Sequence, residues 1–451
     1  MGYSKVLVCG MARSGVAAAE LLRKNGAEVT VQDLKTKDKL DSETVNRLKS
    51  QGISLYLGKN PDDIIKEFDR VVLSPGVPAD LPFLQAARAE GTEVIGETEL
   101  AYSMCKAPIA AITGTNGKTT TTSLVGEIMR RSNPDTFVVG NIGKPFSEYI
   151  DEIKPTSLVA AEMSSFQLET IKTFRPKVSA VLNITPDHLD RHKTIENYIK
   201  AKERIFENQT PEDYTVLNYN DPATRAMADK TAAKVIFFAL DTPLSEGIYS
   251  DDKSIYIKCM GYDEKLVDID ELNILGGHNV ENAMAAAACA VCMGIDIATV
   301  RAALKEFKAV EHRIEYVATV NGVDYYNDSK GTNPDAAIKA VLAMKKPVCL
   351  IAGGYDKHSD FTDWVKLFEG RVKFVSVIGA VKQQLKDTLD KVGFTSYKTA
   401  DSFEEAFNQC VENAKEGDCV LLSPACASWD MFDSYEQRGE IFKELVNKLN
   451  K

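Results

Sequence analysis

No apolar stretch in this chain approaches the ~20 residues that a membrane-spanning helix requires. No leader-like segment separates Met-Gly-Tyr-Ser from the first strand pattern. The expectation is a cytoplasmic protein with no membrane insertion. Basic runs are also missing. Lys and Arg number 54 against 65 Asp and Glu, a formal charge of −11, so nucleic acid is a poor partner. An acidic protein that binds anionic nucleotides must gather its cations locally, and basic residues inside motifs therefore carry weight. Histidine is scarce, at five residues, and His-Glu-x-x-His does not occur, which removes a zinc-protease reading. The nine cysteines are scattered through apolar strands and helices, as reduced core thiols would be. Their one close pair, Cys289-x-x-Cys292, lies in an Ala-rich helical pattern without a second ligand pair, which favours core packing over zinc.

What is present is alternation. With 451 residues the chain is too long for one core, and its length predicts about three domains. Strand patterns at 5–11, 28–33 and 69–74 open a Rossmann-like unit. There Gly10-Met-Ala-Arg-Ser-Gly15 replaces the usual G-x-G-x-x-G. The missing central glycine argues against close approach of a dinucleotide pyrophosphate. Segment 94–108 reads as a link. Strands at 136–140, 157–162, 178–184 and 214–218 then alternate with helices, and a hairpin-like patch covers about 235–270. A third α/β unit carries strands at 323–327, 347–352, 374–378 and 419–423. The expected fold class is α/β with mostly parallel sheets covered on both faces, in domains 1–98, 99–309 and 310–451.

The most specific segment is Ala110-Ala-Ile-Thr-Gly114-Thr115-Asn116-Gly117-Lys118-Thr119-Thr120. An apolar, β-branched run precedes a Gly-rich turn, and Lys-Thr opens a helix. Backbone N–H groups and the helix N-terminus can cradle phosphates there, the lysine adds a cation, and the Thr119 hydroxyl can ligate Mg²⁺. One departure stands out: Ile112 occupies the first glycine position of G-x-x-x-x-G-K-[ST].

Other strand ends carry chemistry as well. Gly140-Asn141-Ile-Gly143 follows one strand, and Ala161-Glu162-Met-Ser164-Ser-Phe-Gln167 another. Glu162 suits a magnesium ligand or a helix cap equally. Asp187-His188-Leu-Asp190-Arg191-His192 suits oxygen-and-imidazole coordination of a second divalent ion, or a solvated turn. In Tyr198-Ile-Lys-Ala-Lys202 the lysines read as the solvent face of an amphipathic helix. His278-Asn279-Val-Glu-Asn282 offers amides for an adenine edge or for capping. Arg313 could reach phosphates. Asn327-Asp328-Ser-Lys330-Gly-Thr332-Asn333-Pro pairs a strand end with a helix start. With Gly353-Gly-Tyr-Asp-Lys357 and Ser423-Pro-Ala-Cys-Ala-Ser428-Trp-Asp-Met-Phe-Asp-Ser-Tyr435-Glu-Gln-Arg438-Gly439, it suggests a site for a small anionic substrate.

Taken in order, these motifs resemble the Mur ligase family over residues 10–439, and the last resembles its D-glutamate-adding branch. The resemblance implies an ATP-dependent amide ligase of peptidoglycan precursor synthesis, working through an acyl phosphate. Its substrates would be UDP-N-acetylmuramoyl-L-alanine and D-glutamate, with ATP and two Mg²⁺ ions, and a monomer is expected. It implies a Rossmann-like N-terminal domain holding the UDP portion, a central P-loop-type ATPase domain, and a C-terminal Rossmann-like domain for the incoming amino acid. Gly114, Thr115, Asn116, Gly117, Lys118, Thr119 and Thr120 would hold ATP, together with Asn282, Arg313 and Asp328. Thr119, Glu162, His188 and a carbamylated Lys202 would serve the metals, which reverses the solvent-face reading of that lysine. Lys330 would line the reaction centre. Ser14, Asp33, Gly76, Asn141, Ser164 and Gln167 would meet the UDP substrate, and Thr332, Lys357, Ser428 and Tyr435 the D-glutamate. Tyr435 stands where that branch carries another aromatic, so only a backbone contact carries over. Other readings stay open: a folylpolyglutamate-synthase-like member of the same family, or a nucleotide-binding oxidoreductase or sensor built on the first βαβ.

Overall fold

The computed structural model describes residues 5–308, 310–355 and 359–449. It divides into two compact units, Met1–Ile269 with Glu281–Lys305, and Asp270–Val280 with Glu306–Lys451. No helix among the described residues is long and apolar enough to cross a membrane.

The first unit carries two sheets. In the smaller one, β1 (Lys5–Cys9), β2 (Glu28–Asp33), β3 (Ser54–Leu57), β4 (Arg70–Leu73) and β5 (Glu93–Gly96) run in the order β3-β2-β1-β4-β5. All neighbours are parallel, which is the doubly wound pattern with its switch point beside β1. Val6, Leu7, Val8 and Cys9 are fully buried because helices cover both faces, and a parallel strand then reads as a continuous apolar run. The first strand stops at Cys9 rather than at residue 11, since Gly10 takes a left-handed φ of +92°. The missing central glycine is answered by Gly15: a Cβ there would lie 1.9 Å from the Gly10 carbonyl oxygen.

Segment 94–108 is structured, not a simple link. It contains β5 and the helix Glu97–Met104, whose acids are buried. Glu99 accepts hydrogen bonds from the N–H groups of Lys172, Thr173 and Phe174, and Glu97 accepts one from Ser147 N–H. These carboxylates fasten the first sheet to the second, and burial pushes the Glu97 carboxyl upward.

The second sheet has nine strands: β6 (Ile109–Thr113), β7 (Thr136–Gly140), β8 (Leu158–Glu162), β9 (Val178–Val181), β10 (Tyr214–Asn218), β11 (Lys234–Ala239), β12 (Gly247–Ser250), β13 (Ser254–Cys259) and β14 (Tyr262–Asp268). Their order is β14-β13-β12-β11-β10-β9-β6-β8-β7. Pairing is parallel from β7 to β12, and the expected hairpin region supplies the antiparallel β13 and β14. The register brings Ile112 and Gly140 opposite Glu162, so three strand ends converge on one spot. The Ala-rich helix Gly277–Cys292 buries Cys289 and Cys292, and burial pushes the Cys289 thiol up to about 12. Both behave as core residues.

In the second unit, β15 (Glu315–Val320), β16 (Val323–Asn327), β17 (Val348–Gly353), β18 (Val372–Ile378), β19 (Tyr397–Thr399) and β20 (Cys419–Leu422) take the order β15-β16-β20-β17-β18-β19. Only β15 is antiparallel. Its two apolar clusters lie on opposite faces: Leu350 and Leu421 point to one, Ile351 and Leu422 to the other.

Candidate active site

The phosphate loop is built from its strand outward. Ile112 is fully buried within β6, so the position needs no glycine. Gly114 and Gly117 do need to be glycines. Their φ values are +144° and +85°, and a Cβ on Gly117 would lie 2.2 Å from Asn282 Oδ1. The helix Lys118–Ser132 starts directly after, which places its first N–H groups at the loop. The loop is braced from β9: Asn116 N–H donates to Asn183 Oδ1 at 2.8 Å, and Asn183 Nδ2 returns a bond to Asn116 O. Thr115 Oγ1 accepts from Thr185 N–H and lies 3.2 Å from the Tyr198 hydroxyl. Asn183 opens the motif that runs to Asp187 and His188, but neither its bracing role nor that of Tyr198 is legible in sequence, where a Tyr on an amphipathic helix carries no distinctive signal.

Two lysines meet below this loop. Lys118 Nζ donates to the carbonyls of Gly114 (3.0 Å) and Thr115 (2.7 Å). Lys202 Nζ donates to Gly114 O at 2.7 Å and lies 4.6 Å from the centre of the Tyr198 ring. Lys202 is 1 % exposed, so the amphipathic-helix reading of that residue is overturned. The buried face of Ile195–Glu203 carries Tyr198, Ala201 and Lys202, while Lys200 is exposed. Burial holds the Lys202 ammonium well below the ordinary lysine range, and the Lys118 charge pushes the same way. Asp187 and Glu162 oppose that shift.

Glu162 is 2 % exposed. Its Oε1 accepts from Asn141 Nδ2 at 2.8 Å, while Oε2 has no hydrogen-bond partner among the described residues. It does not cap the following helix. Ser164 and Gln167 form that capping box, with Ser164 Oγ accepting from Gln167 N–H and Gln167 Oε1 accepting from Ser164 N–H. Thr119 and Thr120 are buried in the first turn after Lys118. Asn282 is inside its helix, not at a cap, and its Oδ1 accepts from the Thr121 hydroxyl.

The two histidines have different surroundings. His188 is exposed, with a left-handed φ of +52°, and packs edge-on against Phe166. His192 is buried and stacks on Phe166, with Nε2 2.9 Å from Ser165 Oγ and Nδ1 3.5 Å from Glu169. Arg191 spans from Glu169 to the carbonyl of Pro75, tying this loop to the turn that carries Gly76. In the first sheet, Asp33 accepts from Met11 and Lys35 N–H groups at 2.8 Å each, Ser14 is half-buried in the first helical turn, and Gly76 is exposed.

The second unit gathers its own group. Asp328 accepts from Ser423 Oγ at 2.8 Å and from Ile314 N–H, and a Cβ on Gly331 would lie 2.3 Å from its Oδ2. Burial pushes its carboxyl up to about 7, against Ser423 and the Arg313 charge. Between the usual carboxyl value of about 4 and about 7, the folded chain holds a proton that the unfolded chain has released. Stability from this group is therefore present below pH ~4 and is lost as pH rises to about 7. Asp328→Asn is expected to flatten the fall of melting temperature across that window. An unchanged slope would remove Asp328 as its source.

Lys330 Nζ lies 5.0 Å from the centre of the Tyr435 ring, and Thr332 N–H donates to Lys330 O. Ser428 is buried after β20. Lys357 falls outside the described residues. Glu311, His312 and Glu440 offer ligand atoms within 4.8 Å of one another, but Lys443 Nζ bonds Glu311 and sits 2.7 Å from Glu440. The cation of that cluster is the chain's own.

Three family models match in succession: the Mur ligase MurD-like N-terminal domain over residues 4–96, the Mur ligase middle domain over 112–290, and the Mur ligase glutamate ligase domain over 312–426. The UDP-N-acetylmuramoylalanine–D-glutamate ligase of Thermoanaerobacter pseudethanolicus is 50% identical over 449 residues, covering 99% of each chain. Its counterpart in Caldanaerobacter subterraneus is 46% identical over the same share. Among solved structures, UDP-N-acetylmuramate-alanine ligase MurC of Thermotoga maritima matches with a TM-score of 0.63 at 20% identity, over 99% of this chain and all of that one. MurF of Acinetobacter baumannii matches with 0.64 at 16%, over 99% of this chain and 93% of its own. These structures share the fold. With its motifs in order, its phosphate loop braced at one sheet's carboxyl end, and full-length relatives at half identity, the chain belongs to the Mur ligase family.

Proposed function

We propose that this protein is an ATP-dependent ligase that joins D-glutamate to UDP-N-acetylmuramoyl-L-alanine, forming an amide in peptidoglycan precursor synthesis. The observation that carries the reading is full-length identity of about half to curated D-glutamate ligases, in a chain whose phosphate loop keeps its glycines, lysine and brace. A free carboxylate resists attack by an amine because its leaving group would be an oxide. Transfer of the γ-phosphoryl group to the alanyl carboxylate supplies a leaving group, and the glutamate amine then displaces phosphate.

The residues divide the work. The N–H groups of Thr115 and Asn116 are taken by the Asn183 brace, so those from Gly117 to Thr119, with Lys118, hold the phosphates and meet the charge that builds on the transferred group. Thr120 and Asn282 support the loop, and Arg313 and Asp328 serve the nucleotide. Lys330 lies at the reaction centre, Ser14, Asp33, Gly76, Asn141, Ser164 and Gln167 serve the UDP substrate, and Thr332, Lys357, Ser428 and Tyr435 the incoming amino acid. Asp33, Ser164 and Gln167 already satisfy backbone groups, so their part is to shape the loops that face the substrate.

The donor set at β8 fits a divalent cation. A buried carboxylate oxygen without a hydrogen-bond partner, Glu162 Oε2, is the kind of group a metal satisfies. Thr119, Glu162 and His188 would hold Mg²⁺, which supplies charge neutralisation at the phosphoryl oxygens. Lys202 would join them as a carbamate. Its depressed pKa favours the neutral amine that attacks CO₂, losing one proton and becoming an anion.

The test is phosphate release from ATP with UDP-N-acetylmuramoyl-L-alanine, with and without D-glutamate. Sustained release that needs both substrates is expected. Release indifferent to D-glutamate, or none, would sink the assignment.

A further inference from the structure

Arg438 is fully buried, yet among the described residues no carboxylate takes its charge directly. Its guanidinium makes five hydrogen bonds. Nε donates to Ser329 Oγ (2.9 Å), Nη2 to Ser329 O (2.7 Å) and Cys426 O (3.3 Å), and Nη1 to Cys426 O (3.3 Å) and Ala427 O (3.4 Å). A guanidinium has five N–H donors, so the set is complete. The acceptors lie on the loops that leave β16 and β20, neighbours in the sheet, at their carboxyl ends. Gly354, just after β17, is also adjacent: a Cβ there would sit 3.3 Å from Nη1 and 2.3 Å from Ala427 O. One cation thus joins two adjacent strand ends and lies beside a third, where ligands bind in open α/β sheets.

Burying an arginine among carbonyls costs desolvation that an apolar residue of similar volume would avoid. Here burial lowers its pKa to about 10. What the cation does is orient peptides. None of the described peptide bonds is cis, and a trans peptide aims its N–H opposite to its C=O. The Ala427 carbonyl is held by the Tyr355 N–H at 2.9 Å and by Arg438 at 3.4 Å, and holding it there turns the Ser428 N–H the other way. The Ser329 carbonyl does the same for Lys330 N–H, which donates to His312 O at 3.0 Å. Ser329 Oγ in turn donates to Tyr435 O at 2.8 Å, so the first turn of the helix Tyr435–Leu449 is locked to the same cation.

We propose that Arg438 is a positioning residue for the incoming amino acid: it sets the backbone of the loops bearing Lys330, Ser428 and Tyr435 without touching substrate itself. The inference rests on the reading of this unit as the D-glutamate-binding one. A lysine would keep the charge but lose the planar fork that reaches both loops at once.

In the full-length protein, Arg438→Lys is expected to raise KM for D-glutamate by about tenfold or more, with KM for ATP and for the UDP substrate within about twofold. Ser329→Ala, which removes the Nε acceptor together with the hydroxyl bond to Tyr435 O, should shift KM for D-glutamate the same way by less. Melting temperatures are measured alongside. Should Arg438→Lys fail to fold, Ser329→Ala decides: an unchanged KM for D-glutamate there overturns the proposal. So does a folded Arg438→Lys protein with D-glutamate KM unchanged, or with all three KM values rising together. Wild-type phosphate release dependent on both substrates is the control. Its absence refutes the proposed function, whereas its presence beside unmoved KM values refutes only the role of Arg438.

Discussion

Lys202→Ala is expected to lower D-glutamate-dependent phosphate release by at least about a hundredfold, and short carboxylic acids added to the assay are expected to restore part of it. The reason is geometric and electrostatic together. Lys202 Nζ is buried, donates to the Gly114 carbonyl, and shares its surroundings with Lys118 and Glu162. Two ammonium groups at the base of one phosphate loop repel each other. Converting one to a carbamate replaces that repulsion with attraction and supplies a metal-facing oxygen. Alanine removes both the charge and its oxygen atoms, and leaves space that a small carboxylate can enter. Variant activity equal to wild type would refute any role. Loss without rescue by formate, acetate or propionate would refute the carbamate and leave Lys202 as a cation acting through Gly114.

Gly117→Ala is expected to raise KM for ATP and lower kcat/KM for it by about a hundredfold, because misplacing reacting groups by about an ångström costs that much. The left-handed φ of +85° strains any L-residue, but strain is the smaller part. The new methyl would lie 2.2 Å from Asn282 Oδ1 and 3.3 Å from Leu182 Cδ1. Asn282 is buried on a long helix and engaged with Thr121, so the loop would move rather than the helix. Gly143→Ala is the control. Its φ of +61° is also left-handed, but nothing lies within 4 Å of the added Cβ, so only backbone strain remains. Equal losses in both variants would assign the effect to strain and not to the Asn282 contact.

The phosphate loop was legible because everything that makes it is local: a β-branched run, glycines where φ must be positive, and a lysine at a helix start. Its one irregularity, Ile112, is explained by strand packing against β8 and β9, which a local pattern does not contain. Lys202 shows the opposite case. Helical periodicity assigns faces, not neighbours, and the inward face here meets a carbonyl and another lysine instead of apolar side chains. The i, i+4 spacing of His188 and His192 suggested a pair. The left-handed turn at His188 leaves that ring exposed and edge-on to Phe166, while His192 is buried and stacked on it. Segment 94–108 reads as a link in sequence, and the burial of Glu97 and Glu99 within it is visible only in the fold. Their partners are backbone N–H groups some fifty or more positions away in the chain.

The sequence by itself determined the α/β alternation, the order of the motifs, the phosphate loop and the family, since each rests on short-range patterns of glycine, charge and apolar period. Tertiary structure alone decided which polar groups are buried and against what: Lys202 under Gly114, the unpartnered oxygen of Glu162, the protonated range of Asp328, and Arg438 among carbonyls. Burial and electrostatics depend on distances between residues far apart in the chain, and no local pattern encodes those distances.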